Sequence, residues 1–575
     1  MMDQRPPSSQ RRASAAAPRP NEARVRRRAG QGSKTILILL AALVPMVASA
    51  GCGLRQWVRN GFKVGPNYVR PPAPVAPAYI DSDNSEITTD PAHDCAWWTV
   101  LNDPTLNGLI ETAYRQNLDL RVAGTRILEA RAQRNIAAGN LFPQTQSALA
   151  AYGHGQITEN LAAPFASSFN IWATGFNASW ELDFWGRYRR TIEAADADSA
   201  ASIEGYGDAL VMLFSEVATA YVQLRTYEER LRFARHNVEI QQGSLDLAEH
   251  RFREGVATEL DVTQARTSLA QTESAIPPLE AGRRQANNQL CILLGMPVVD
   301  MAGTFPPAAI PAAPPTLAVG LPADLLRRRP DVRRAEREVA AQSANLGVAK
   351  ADLYPRLTVG GFLGYAADDI ERLFASKSFT AFVIPTLQWP ILNYGRLANN
   401  IMRQDARLQG AALQYQQTVL NAGREVEDSL VAFLKSQQQA AKLEVSVQNA
   451  ERSVELVLTQ FKGGVSDFNR VYNTQEALVS QQDQLAVARG EIALNLIRTY
   501  KALGGGWTHF CRGRGFPAVY AVDDVSGEEV PTPEPVEGSQ PLPPAVPTAE
   551  SPVEARPSSR RNPQVAATTA PVPAR

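Results

Sequence analysis

Cysteine and histidine are scarce in this sequence of 575 residues, which has four cysteines and five histidines. The cysteines form no C-x-x-C pair, and the histidines are equally scattered. A zinc site usually begins with local pairs of these residues, so the sequence argues against one. We therefore expect neither a bound metal nor a cofactor.

An excess of charge of either sign is also missing, because 58 Lys and Arg residues balance 58 Asp and Glu residues. A protein that coats nucleic acid carries a basic surplus, so we expect no nucleic-acid partner. No apolar run reaches the ~20 residues of a membrane-spanning helix. Walker loops, G-x-S-x-G and H-E-x-x-H motifs are absent as well. The sequence thus predicts neither a helical membrane protein nor an enzyme.

The N-terminus has the features of an export signal. Residues 1–34 hold eight arginines, and a 13-residue apolar run follows from Thr35 to Val47, which suits a signal-peptide core. Gly51-Cys52 resembles the bacterial lipobox, in which the cysteine receives a diacylglycerol. The alternative is ordinary cleavage after Ala50, which leaves Cys52 unmodified. We predict a signal peptide over 1–51 and lipidation of Cys52.

Proline-rich segments lie on both sides of the body of the chain. We interpret residues 52–104 as a lipidated, proline-rich tether that leads from the lipid to the body. In the tail, predicted over 508–575, 12 of the last 45 residues are proline. Such a composition cannot bury a core, so we expect the tail to be disordered.

The body between these segments is internally duplicated. With a shift of 209 residues Trp180 falls on Trp389, and with a shift of 212 Pro143 falls on Pro355. The register persists over more than 100 residues, which chance does not explain. We predict three parts: a first repeat over 105–295, a linker over 296–320 and a second repeat over 321–507.

Each repeat contains two segments in which residue character alternates. Trp172, Phe176 and Trp180 share one face of a strand, whereas small and polar residues occupy the other. Trp389 ends the corresponding segment of the second repeat. Strands of ~10 residues with this alternation are typical of a water-filled barrel in lipid, with a half-buried sheet as the alternative. We predict that these four aromatic residues face lipid.

Long heptad repeats follow the strands. Apolar residues recur every seven positions from Leu210 to Phe252 and from Val419 to Phe461, which predicts coiled-coil packing. The first helix would be ~100 Å long. The return helix to Leu294 must be kinked or interrupted by Pro277-Pro278. We therefore predict an α+β membrane protein, with duplicated helical hairpins and four transmembrane strands per chain. Four strands cannot enclose a pore, so the chain must oligomerise, as a dimer or a trimer.

Several motifs closely resemble the TolC-like outer-membrane efflux factors of the NodT lipoprotein subgroup. The motifs are Val64-Gly65-Pro66-Asn67-Tyr68, Trp97-Trp98, Asp103-Pro104-Thr105-Leu106, Trp180-Glu181-Leu182-Asp183, Leu326 to Val332 and Leu503 to Trp507. The resemblance covers residues 52–507. It implies a homotrimer with a twelve-stranded barrel in the outer membrane and an α-helical barrel in the periplasm.

The resemblance also implies a function and partners. The trimer would dock on a periplasmic adaptor protein and an inner-membrane efflux transporter, and would pass drugs or other small toxic compounds to the exterior. A duct of a type I protein secretion system is an alternative. A structural periplasmic coiled-coil protein is an alternative from another class.

The tips of the hairpins acquire roles from the same resemblance. Tips in this family meet the adaptor, so the predicted docking residues are Gly255, Val256, Gly464 and Val465, with turn geometry alone as the alternative. The tips also close the tunnel, and the candidate periplasmic gate consists of Asp467, Arg470 and Asn473. Chain ends converge beside the tunnel in this family, which suggests a Cys95–Cys511 disulfide, or else two unpaired thiols.

Overall fold

The computed structural model describes residues 57–88, 94–156, 168–301 and 306–506. The predictions for the signal peptide, Cys52 and the C-terminal tail lie outside these residues. The predicted disulfide does so too, because neither Cys511 nor the side chain of Cys95 is described.

The first repeat consists of two helices, a strand pair and a long helical hairpin. A two-residue strand β1 (Ile87–Thr88) precedes α1 (Pro104–Gln116), α2 (Leu118–Gly139), β2 (Thr145–Gln156), β3 (Ser168–Leu182), α3 (Arg187–Arg253) and α4 (Glu259–Leu293). Asp103 caps α1, because its carboxylate accepts the backbone N–H groups of Thr105 and Leu106 at 2.8 and 3.1 Å. The Asp-Pro-Thr-Leu motif is therefore a helix start.

The second repeat has the same order of elements. It comprises β4 (Leu317–Ala318), which pairs with β1, then α5 (Leu325–Arg328), α6 (Pro330–Ala351), β5 (Arg356–Ala367), β6 (Phe379–Gln388), α7 (Arg396–Lys462) and α8 (Phe468–Ala502). Helices α3 and α7 have 67 residues each, and α4 and α8 have 35 each. Both pairs are offset by 209 residues, which confirms the internal duplication.

The four long strands form one antiparallel sheet in the order β2-β3-β5-β6. The two repeats meet at the β3–β5 pair, where Ala178 lies opposite Gly361. Strands β2 and β6 are at the edges, and each leaves one side of its backbone without a strand partner among the residues that the structure describes. An edge of this kind cannot stay open in lipid.

The helices of each hairpin pack on one another and on the helices of the other repeat. Helix α4 continues through Pro277 and Pro278, so of the two predicted outcomes, a kink or an interruption, the interruption does not occur. Leu279 is buried there against α3 together with Leu231 and Ala234, and this packing offsets the loss of two backbone donors. Among the described residues, no helix is long and apolar enough to cross a membrane.

Candidate channel surfaces

Both hairpin tips turn on a glycine with a left-handed backbone. Gly255 has φ +75° and Gly464 has φ +73°, a region that L side chains rarely adopt. Val256 and Val465 follow them with 63% and 83% of their surface exposed. Each tip therefore presents a bare backbone turn and an exposed apolar side chain, which suits contact with a partner protein.

The three candidate gate residues lie at the second tip and are exposed. Asp467 is the N-cap of α8, and its carboxylate accepts the backbone N–H of Arg470 at 3.1 Å. The amide of Asn473 donates to the side chain of Asn469 at 3.4 Å. Helix capping alone therefore accounts for Asp467. A gate in which Asp467 and Arg470 form a ring of ion pairs between subunits stays a prediction.

The two tips of a protomer are joined by Arg251, a residue that the sequence does not single out. Its guanidinium lies 4.6 Å from the ring centre of Phe461 and donates to the carbonyl oxygen of the same residue. Phe461 is 3% exposed, whereas the equivalent Phe252 of the first tip is 45% exposed. The offset of 209 places Gln460 where the first repeat has Arg251. This difference between the repeats is the sequence signal that could have indicated a special role for Arg251.

Three of the predicted lipid-facing residues, Trp172, Phe176 and Trp180, lie on one face of β3, and the fourth, Trp389, directly follows the end of β6. Phe176, Trp180 and Trp389 are 66%, 39% and 42% exposed. Trp172 is half-buried because its ring packs 4.4 Å from that of Tyr152. No described residue covers Phe176, Trp180 or Trp389 fully, as a lipid-facing surface requires.

Equivalent hydrogen bonds form in the two repeats at the end of the sheet where β2 and β5 begin. The indole of Trp180 donates to the carbonyl oxygen of Leu141 at 3.1 Å. The indole of Trp389 donates to that of Leu353 at 2.9 Å. Each bond joins the same two positions of its repeat. The hydrogen-bonding pattern here is therefore the same in both repeats.

The Val-Gly-Pro-Asn-Tyr motif forms a joint between the N-terminal segment and the helices. Gly65 has φ +89°, and a Cβ there would lie 2.5 Å from the Cα atom of Gly347, so only glycine fits. Arg190, 2% exposed, donates to the carbonyl oxygens of Val64 and Gly65 at 3.1 and 3.2 Å and to the side chain of Asn67 at 3.0 Å. These bonds fix residues 64–67 on α3.

A carboxylate beside this joint is held in its charged form. Burial raises the pKa of Glu193, but hydrogen bonds from Lys63 and Arg190 outweigh it and bring that pKa below its ordinary value. Arg190 lies 2.6 Å from the Glu193 carboxylate. The joint therefore combines backbone capture with an ion pair.

Comparison with known proteins assigns the chain to a family. The model of the family "Outer membrane efflux protein" matches residues 109–296 and 321–505. The chain belongs to this family. It is 30% identical over 454 residues to nodulation protein T of Rhizobium leguminosarum bv. trifolii, which spans 78% of this chain and 95% of that protein.

Other relatives agree in function and structure. The pyoverdine export outer membrane protein OpmQ of Pseudomonas putida is 32% identical over 72% of this chain and 88% of its own length. A solved structure of the outer-membrane channel OprN matches with a TM-score of 0.73 and 32% identity, over 77% of this chain and 99% of that one. The TolC-like, NodT-type assignment is confirmed.

Membership confirms the class of molecule and its location. The chain is an outer-membrane channel of a tripartite efflux pump, and its helical part extends into the periplasm. It works as a homotrimer with an adaptor protein and an inner-membrane pump. The family is one of channels and not of enzymes.

Proposed function

We propose that the protein is the exit duct for small toxic compounds and that the trimer closes by repeating, between protomers, the junction that joins the two repeats within one. The observation that carries the proposal is that, among the described residues, the edge strands β2 and β6 lack an outer partner, whereas at the inner junction Trp172 to Leu182 of β3 pair with β5. Three protomers would then supply twelve strands in one barrel.

An aromatic contact near the β3–β5 junction predicts an equivalent contact between two protomers. Trp185 stacks on Tyr354 at 4.5 Å between ring centres, with an interplanar angle of 26°. The offsets of 209 and 212 place Tyr394 and Phe142 at the equivalent positions. Tyr394 is 97% exposed and Phe142 66% exposed in the protomer. We infer that Tyr394 stacks on Phe142 of the next protomer.

The strand register follows from the same argument. Strands β2 and β5 begin at Thr145 and Arg356, an offset of 211 residues. Since Ala178 pairs with Gly361 inside the protomer, Leu387 is expected opposite Ala150 of the next protomer. Both side chains then lie on the apolar face of the sheet, as a continuous lipid-facing belt requires.

Disulfide crosslinking tests this closure. A chain with Phe142→Cys and Tyr394→Cys should give covalent dimers and trimers on a non-reducing gel after mild oxidation. The matched control, Trp185→Cys with Tyr354→Cys, should crosslink within one chain and give no ladder, and each single variant should stay monomeric under denaturation. Trimers that form by size but show no ladder in the first variant would contradict the proposed junction.

The tips complete the proposal. Gly255, Val256, Gly464 and Val465 supply the adaptor-docking surface, which their exposure and their position at the end of both hairpins support. Asp467, Arg470 and Asn473 restrain the opening of the tunnel at the same end. Exposed pairs contribute only ~0–1 kcal/mol each, so the restraint depends on the three protomers acting together.

A further inference from the structure

Two phenylalanines lie on the face of the sheet opposite the predicted lipid-facing aromatics. Phe362 of β5 and Phe382 of β6 are cross-strand partners, and their ring centres are 5.9 Å apart with an interplanar angle of 32°. Phe176 pairs with Leu363, so Phe362, one residue earlier, points to the other side of the sheet. If the apolar face meets lipid, this aromatic pair faces the lumen.

The side chains around the aromatic pair are uncharged, and all but Ile384 are small or polar. Its nearest neighbours on the same face of the sheet are Asn177, Gly360, Gly364, Thr380 and Ile384. Large apolar side chains on the water-filled side of a barrel are unexpected, because that wall is ordinarily polar. Phe382 is nevertheless 48% exposed and Ile384 54% exposed.

Phe362 lies along the wall of the sheet because two glycines leave room for it. Gly175 and Gly364 are cross-strand partners beside it. A Cβ atom at these positions would lie 2.9 and 2.8 Å from Cζ of Phe362, so any larger residue would push the ring away. The ring therefore rests against the backbone, and the pair forms an aromatic shelf on the wall.

The fold does not require this aromatic pair. The offsets of 211 and 209 place Ala151 and Ala173 at the equivalent positions of the first repeat, and these alanines are cross-strand partners too. The same strand geometry thus forms with two methyl groups. Around a trimer, three aromatic pairs would alternate with three alanine pairs.

We propose that Phe362 and Phe382 form a binding station for planar aromatic compounds as they pass through the barrel. The inference rests on the proposed function, because it assumes the inward orientation of this face. The compound bound there is one that is being transported, because Phe362 and Phe382 lie along the proposed transport path. The uncharged neighbours leave stacking and apolar contact as the means of recognition, so flat aromatic rings are retained longer than aliphatic ions of equal charge.

Single-channel recording of the full-length trimer in planar bilayers tests the station. Ethidium and tetrapropylammonium, both monovalent cations, are added on the side of the β2–β3 and β5–β6 loops and the dwell time of each block is measured. With Phe362→Ala and Phe382→Ala the ethidium dwell time should fall about threefold to tenfold, while that of tetrapropylammonium stays constant. The variant repeats the alanine pair of the first repeat, so its folding is expected.

The reciprocal variant is the matched control. Ala151→Phe with Ala173→Phe should lengthen the ethidium dwell time and leave tetrapropylammonium unchanged. An unaltered ethidium dwell time in the alanine variant, or equal changes for both cations, would overturn the station, as would the lack of any ethidium block in the wild type. Absence of conductance in the wild type would instead contradict the proposed closure of three protomers into one barrel.

Discussion

At the residue scale, the buried side chain of Arg190 attaches residues 64–67 to helix α3. Its guanidinium serves three acceptors of residues 64–67 and also Glu193. The motif that contains Gly65 is visible in the sequence, but its partner is not, because Arg190 lies 125 residues away in a helix with many arginines. Motif residues are therefore predictable, whereas the side chain that satisfies them requires the structure.

Removing Arg190 should release the N-terminal segment. Arg190→Ala removes one donor each from the carbonyl oxygens of Val64 and Gly65, the Asn67 side chain and the Glu193 carboxylate, so the segment should lose about 2–4 kcal/mol of its attachment. Limited proteolysis of the detergent-solubilised trimer should then cut within residues 57–70. Arg334→Ala is the control, since Arg334 forms an exposed pair with Asp208 at 3.3 Å and its loss should leave the pattern unchanged.

The joint should also depend on pH through Glu193. Its pKa in the folded protein lies below the ordinary value of 4.5, so its contribution is present above that value and is lost as the pH falls through the lower folded pKa. Wild type should melt at a higher temperature than Glu193→Gln at pH 6. The difference should shrink as the pH is lowered below 4.5, and a difference that grows in acid would contradict this sign.

The cap and gate roles of Asp467 can be separated at the same scale. Asp467→Ala with Arg470→Ala should raise the ion leak of the closed channel in bilayer recordings, because both gate charges are removed. Thr258 caps α4 at the equivalent position of the first tip. Thr258→Ala should cost a similar ~1 kcal/mol of cap energy without raising the leak. Equal leaks in the two variants would leave Asp467 as a cap alone.

At the scale of elements, periodic signals predicted the structure well. Seven-residue spacing, period-2 alternation and the duplication located the long helices and the strands, because each follows from local geometry repeated many times. The Arg251 contact with Phe461 and the shelf of Phe362 and Phe382 were not predicted. Both depend on how the two repeats differ at one or two positions, and such differences carry no periodic signal.

A substitution at a hairpin tip tests the docking role of the hairpin without changing the length of its helices. Gly464→Asp forces an L side chain into φ +73° and places a charge on the predicted docking surface, so efflux should be lost. Trimers should still form, since the tip lies far along the chain from the strands. Loss of drug resistance in cells, with normal trimer content in the outer membrane, is the expected result.

Gly464→Ala is the matched control, because it keeps the backbone strain and omits the charge. It should retain adaptor crosslinking and at least part of the efflux. If Gly464→Asp itself supports normal adaptor crosslinking and efflux, the tips serve as turns only and the docking assignment is wrong.

At the scale of the whole molecule, a single protomer cannot complete the barrel, because its sheet is open at both edge strands. Among the described residues the sheet ends in two unpartnered strands, and Phe142 and Tyr394 are exposed, so in the proposed trimer a second copy would cover them. The sequence predicted that the chain oligomerises, but the contact positions follow only from the inner junction. Assembly into a barrel therefore supplies the membrane attachment of the protein, since closure creates the continuous apolar belt.

This attachment bears on the predicted lipid at Cys52. Trp57, five residues later in the chain, packs against Phe184 at 5.0 Å and Trp185 at 5.7 Å, just beyond the end of β3. Five residues span at most ~18 Å, so a lipid on Cys52 would have to enter the membrane within about that distance of Trp57. An acyl chain there would add a second anchor to a barrel that already spans the bilayer.

Cys52→Ser should consequently leave the trimer in the outer membrane and lower only the speed or yield of its delivery. Mass spectrometry of the mature wild-type chain should find a diacylglycerol on an N-terminal Cys52, and the variant should lose that mass while its trimer content after membrane extraction stays within about twofold of wild type. A wild-type chain that begins at Gly51 with an unmodified thiol would refute the lipid. Complete loss of trimers in the variant would show that the anchor, and not barrel closure, holds the protein in the membrane.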